Sequence, residues 1–183
     1  VGIMFSVGLF LISYKGYDKK DDVITNLSGI FALGIACFPV KIYDKEIAYV
    51  GTFQFEALHS HYIHLVCSSM FFILLAMNSI FLFTKSRGRL TKEKKRRNRI
   101  YRLCGYIMLA SLLISGLSFI PAVKDYFNRV PIVIFFEAFA LFAFGFSWLI
   151  KGQVLLKDKS KRENFYHFRT ATRYKKSAPN NSQ

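Results

Sequence analysis

Glu137 stands about six residues into an apolar run that opens at Pro131, among Phe135, Phe136 and Phe139. Drawn as a helix at about 1.5 Å per residue, that run puts the carboxyl about 9 Å from its end. An ionised group there costs on the order of 3 kcal/mol without a partner or water. The carboxyl is therefore expected to be neutral or partnered. A second run offers partners: His61 and His64 share a helix face at three-residue spacing, Ser68 continues it one turn on, and His64 reaches a depth similar to that of Glu137. If these helices touch, His64, Ser68 and Glu137 converge in the outer half of a membrane with His61 at the rim.

A carboxyl and an imidazole at one depth can hold a proton, an ion or a small polar solute. They can equally be packing glue, a neutral carboxyl donating one hydrogen bond to the next helix. Zinc would need more ligands: His59 points off the His61/His64 face, and others would have to come from Glu56 or Glu137. No metal or cofactor is assigned. An intramembrane hydrolase could draw on His61, His64, Ser68 and Glu137, but the chain has no nucleophile elbow, zincin helix or Gly-rich phosphate loop, and no catalytic residue is assigned.

Other polar groups lie nearer the opposite face. Asn26, with Asn78 and Ser79, forms a second layer whose ordinary meaning is interhelical hydrogen bonding. The block that includes Lys94, Lys95, Arg96, Arg97 and Arg99 is expected to extend a helix out of the membrane, as a contact for anionic headgroups or simply as an orientation signal. Cys37, Cys67 and Cys104 sit in or at the edge of apolar runs without metal-ligand spacing and read as inert thiols.

These residues are positioned by five apolar runs, at about 2–14, 23–40, 61–84, 103–121 and 131–150. About 20 helical residues cross a hydrocarbon core of roughly 30 Å, so the last three suffice, the second just suffices and the first is short. Nearly all of the 26 Lys and Arg residues fall in 15–22, 85–102 and 151–183, which lie on one side if each run crosses once. The intervening loops hold only Lys41, Lys45, Lys124 and Arg129, offset by Asp44, Glu46, Glu56 and Asp125. The positive-inside rule makes the basic side cytoplasmic, with residue 1 outside and the tail inside. An upstream sixth helix would restore an even number of crossings. The net charge of +15 is thereby explained by orientation and anionic lipid, without nucleic acid.

The expected fold is all-α: a polytopic transmembrane bundle over 1–152 in the cell membrane, then a basic cytoplasmic tail over 153–183 whose end is expected to be disordered. Within the tail, 164–168 is amphipathic enough to lie on the membrane surface. Gly29, Ala32, Gly34 and Ala36 form a small-residue strip on the second helix, and Gly105, Ser111, Ser115 and Ser118 do so on the fourth, which makes these two the candidates for the bundle centre. Pro39, Pro121 and Pro131 should mark span ends.

Three stretches carry a resemblance: 7–18 with 26–34, Tyr62-Ile63-His64 leading into Phe71 and Phe72, and Phe136-Glu137-Ala138 with 144–152. Together they resemble a group of uncharacterised bacterial multi-pass membrane proteins. That resemblance implies a further N-terminal helix and a shared role for His64 and Glu137, and it supplies no activity. The function classes left are a small transport, sensing or channel-like module, an integral membrane enzyme acting on a lipid-like substrate, and a structural partner subunit within an oligomer.

The charge pattern yields a direct test. In a Cys-free background, a Cys at Thr52 should react with a membrane-impermeant reagent in intact cells and a Cys at Gly88 should not; the reverse pattern would invert the orientation.

Overall fold

Long apolar runs satisfy their backbone internally as helices, and a computed structural model, which describes residues 1–16, 18–40, 48–51, 53–86, 91–123 and 132–152, is mostly helical. The elements are α1 (Gly2–Ser13), α2 (Lys19–Cys37), a short antiparallel hairpin of β1 (Tyr49–Val50) and β2 (Phe55–Glu56), α3 (Ala57–Met77), a π-helical turn (Asn78–Leu82), α4 (Lys92–Leu117) and α5 (Ile132–Lys151). The tail beyond Gly152, its stretch 164–168 and Pro131 lie outside the described residues.

Local chemistry sets the ends. Asp21 and Asp22 occupy the first turn of α2, where the helix dipole favours negative charge, and Asp22 also accepts from the Gly16 amide at 2.7 Å. That helix stops at Cys37, because Phe38 precedes Pro39 and is held out of the helical region. Thr91 caps α4 by accepting from the Lys94 amide at 3.1 Å. α4 does take in the basic block, as expected, but ends at Leu117 rather than 121. α3 starts at Ala57 rather than 61, fed directly from the hairpin by the Ala57 amide bonding to Ala48 O at 2.8 Å. The hairpin turn places Gly51 at φ +77°, a conformation that suits glycine, and Gln54 at φ +51°.

Among the described residues, three helical stretches are long and apolar enough to cross a membrane: Ala57–Leu82, Lys92–Leu117 and Ile132–Lys151. Five were expected. α1 has only 12 residues, and the 19 residues of α2 open on Lys19, Lys20, Asp21 and Asp22, so neither reaches that length of apolar helix alone.

Neighbouring helices meet through small residues. A Cβ on Gly29 would lie 2.6 Å from Gly8 O, which brings α1 and α2 backbone to backbone, while one on Gly34 would lie 2.7 Å from Cys67 Sγ of α3. Gly105 brings α4 against Ile80 and Ala76. The strips on α2 and α4 are thus interfacial, though α3 is the helix that touches α2, α4 and α5. Leu11, Ala32, Phe71, Leu75, Met108 and Ala140 are buried in one core drawn from all five helices. Trp148 of α5 packs edge-on to Phe10 at 5.0 Å, Tyr14 at 4.6 Å and Phe83 at 5.0 Å, drawing α1, α5 and the segment after the π turn together.

Lys85 ties that same segment to the start of α2 through Asp18, at 3.2 Å, and the buried Asp21. The hydrogen bond to Asp21, more than that to Asp18, raises the Lys85 ammonium above its ordinary range. This contribution is complete at neutral pH and is lost only as pH climbs through the raised value.

The glycines separate two cases. Gly29→Ala should lower stability in detergent by about 1 to 3 kcal/mol, because its methyl meets Gly8 O and Ile12, whereas Gly145→Ala, with nothing within 4 Å, should be close to neutral. Equal melting temperatures for the two variants would place Gly29 outside the interface.

Candidate functional site

Where α3, α4 and α5 converge they enclose a partly open cavity of about 90 Å³. Its polar lining is Glu137 from α5, Ser68 and Ser69 from α3, Ser111 and Ser115 from α4, and Ser118 just beyond α4; Phe72, Phe119 and Phe136 supply the apolar wall. One water needs only about 10–15 Å³ of such space, so several fit.

The hydroxyls are not equivalent. Ser68 Oγ donates to His64 O of its own helix at 2.8 Å, and Ser118 Oγ donates to Ser115 O at 2.7 Å. Ser115 Oγ is buried without a hydrogen-bond partner among the described residues. Among the same residues the Glu137 carboxyl has no hydrogen bond or ion pair, and it faces the cavity. The one carboxyl in the cavity lining and one hydroxyl are thus left with their bonding capacity directed at whatever enters. A carboxyl with several hydroxyls can bind water, a proton, a small cation or a small polar solute.

Ser68 and Glu137 do share this site, as their spacing suggested. His64 flanks it within electrostatic reach of Glu137 but makes no direct ion pair with it. Its Nδ1 lies 2.7 Å from Phe38 O at the end of α2. A carbonyl can only accept, so Nδ1 carries the proton in this hydrogen bond. His61 is half-buried beside Tyr62, ring centres 6.0 Å apart, and does not line the cavity. His59 pairs instead with Glu56 at 2.9 Å on the surface. No group of three or more His, Cys, Asp or Glu among the described residues could hold a metal.

Ser111, Ser115 and Ser118 were legible only as small residues. Their spacing of four and three is also that of a polar stripe on one helix face, the signal that identifies them as lining. Ser69 had no such mark.

In the second polar layer Asn78 is fully buried, and its Nδ2 donates to Ser28 Oγ on α2 at 3.3 Å, not to Asn26. Asn26 Oδ1 is buried without a partner among the described residues. Ser79 Oγ donates to Tyr101 O at 2.8 Å, so the layer links α2, α3 and α4. In the basic block Lys95, Arg96 and Arg99 are exposed. Lys94 and Arg97 are corrections to the expected headgroup contact: Lys94 turns inward to Phe83 O at 2.9 Å and over the Tyr101 ring, and Arg97 is buried, because both lie on the packed face of α4.

Comparison with known protein families, characterised proteins and solved structures finds no match. Function has to be argued from this geometry.

Electrostatic reach without contact makes a measurable claim. His64→Ala and Glu137→Gln should each lower stability, and a double-mutant cycle should show a coupling of about 0.5 kcal/mol or more. Strict additivity would return Glu137 to a packing role.

Proposed function

We propose that this chain is a multi-pass module of the cell membrane that takes protons or a small polar solute into the site between α3, α4 and α5, with Glu137 as its working group and His64 tuning it. The observation that carries the reading is a carboxyl, unpaired among the described residues, lining a serine-rich cavity between helices long and apolar enough to span a bilayer. Ionisable groups at such depth are functional sites by default, since a structural core would do better with an apolar side chain. In this reading α1 packs on α2 and α2 on α3 to complete a five-span bundle, the basic ends face the cytoplasm, and His64 couples the site to the end of α2 through Phe38 O.

An enzyme is the weaker alternative. Ser68 donates to its own helix and the Nδ1 proton of His64 goes to Phe38 O, so neither group arms the other as a nucleophile and base.

Proteoliposomes test the proposal. Vesicles carrying the wild-type chain should dissipate an imposed pH gradient faster than empty vesicles, and Glu137→Gln should remove most of that excess. In a Cys-free background, Ser115→Cys should react with a small water-soluble thiosulfonate, reporting access to the cavity. A wild type no faster than empty vesicles, together with an unreactive Cys at position 115, would overturn the reading.

A further inference from the structure

A second concavity lies between α3 with its π turn and α4, toward the basic end. It is an open groove of about 530 Å³, floored by Ile73, Ala76, Ile80 and Leu109, with Tyr106 and Arg102 along the α4 side. Gly105 lets α4 close on Ile80 and Ala76, which makes the floor shallow and continuous. Thr84, at the basic end of the groove, turns its hydroxyl to Ile80 O at 2.8 Å, and Arg102 is the charged residue of the lining.

Two features name an occupant. The first is charge: Lys95, Arg99 and Arg102 follow one another at spacings of four and three, so they share one face of α4, and all three are exposed. No acidic side chain pairs with any of them among the described residues. The second is length. Ile73 to Thr84 spans roughly 16 Å at about 1.5 Å per residue, close to the roughly 15 Å of hydrocarbon in one leaflet. A chain lying on the apolar floor would bring its headgroup level with Arg102, whose planar fork suits the two oxygens of a phosphodiester.

We propose that this groove is a binding site for one anionic phospholipid of the leaflet on the basic side, with its phosphate on Arg102, its headgroup near Arg99 and Lys95, and one acyl chain along α3. The site rests on the helices being embedded in a membrane but not on the role of Glu137. It also refines the sequence-based expectation for the basic block, whose Lys94 and Arg97 turn inward.

The full chain, purified in mild detergent, can be titrated with long-chain phosphatidylglycerol or phosphatidylcholine and bound lipid counted by native mass spectrometry. Phosphatidylglycerol should bind at least about five-fold more tightly than phosphatidylcholine, and Arg102→Ala should weaken it by about five-fold, the effect of one basic residue at an anionic surface. Arg96→Ala removes the same charge about a third of a turn round the helix and should leave the affinity within two-fold of wild type, roughly. Glycerol 1-phosphate, a headgroup without chains, should not displace the lipid. Equal affinity for the two lipids, an Arg96→Ala effect as large as that of Arg102→Ala, or displacement by glycerol 1-phosphate would each overturn the assignment. Unchanged melting temperatures of both variants would show that the loss is not unfolding, since both side chains are exposed.

Discussion

Helices this apolar offer their polar side chains almost no solvent, and that constraint organises the molecule. Most hydroxyls answer it at home: Ser6, Ser13, Thr25, Ser28 and Ser147 all donate to a carbonyl three or four residues back on their own helix. The groups that reach elsewhere do something other than fill space. Asn78 and Ser79 use theirs to fasten α3 to α2 and α4, and Ser60 and His64 fasten α3 to the segment after α2 through Pro39 O and Phe38 O. Against that background the Glu137 carboxyl and Ser115 hydroxyl are two exceptions that share one cavity, whereas Asn26 Oδ1 is left unpartnered elsewhere among the described residues.

Backbone proximity supplies what hydrogen bonding does not. Lipid is as apolar as leucine, so helices gain by approaching closely rather than by escaping water. Gly8 with Gly29, Gly34 with Cys67, and Gly105 with Ile80 are the places where that approach is closest. Leucine and phenylalanine on the outer faces, such as Leu113 and Phe142, are correspondingly exposed. Exposure of this kind, awkward for a chain surrounded by water, is ordinary for a chain surrounded by hydrocarbon.

Much of this was legible in the sequence. Apolar runs gave the helices to within a few residues, the basic block was rightly expected to prolong α4, and the glycine strip of α2 was rightly expected at an interface. What escaped was information that one-dimensional pattern does not hold. A hairpin of two residues per strand leaves no alternation to read, and the π turn at Asn78–Leu82 has no mark in composition. The four charged residues opening α2 fall outside the apolar run because they are polar, yet the helix starts among them. At the site, helical spacing was enough to pair Ser68 with the depth of Glu137. The serines of α4 read as small as readily as polar, because size and polarity coincide in serine and only the tertiary neighbour decides which one matters.

The packing around Trp148 has a consequence of another kind. It is the only tryptophan in the chain, and its ring is enclosed by Phe10, Tyr14, Phe83 and Phe144 from three separate parts of the fold. The molecule therefore carries a single indole fluorophore at the junction that exists only when α1, α5 and the segment after the π turn are assembled. Along α5 it lies roughly 16 Å from Glu137, so it marks the end of the bundle away from the cavity.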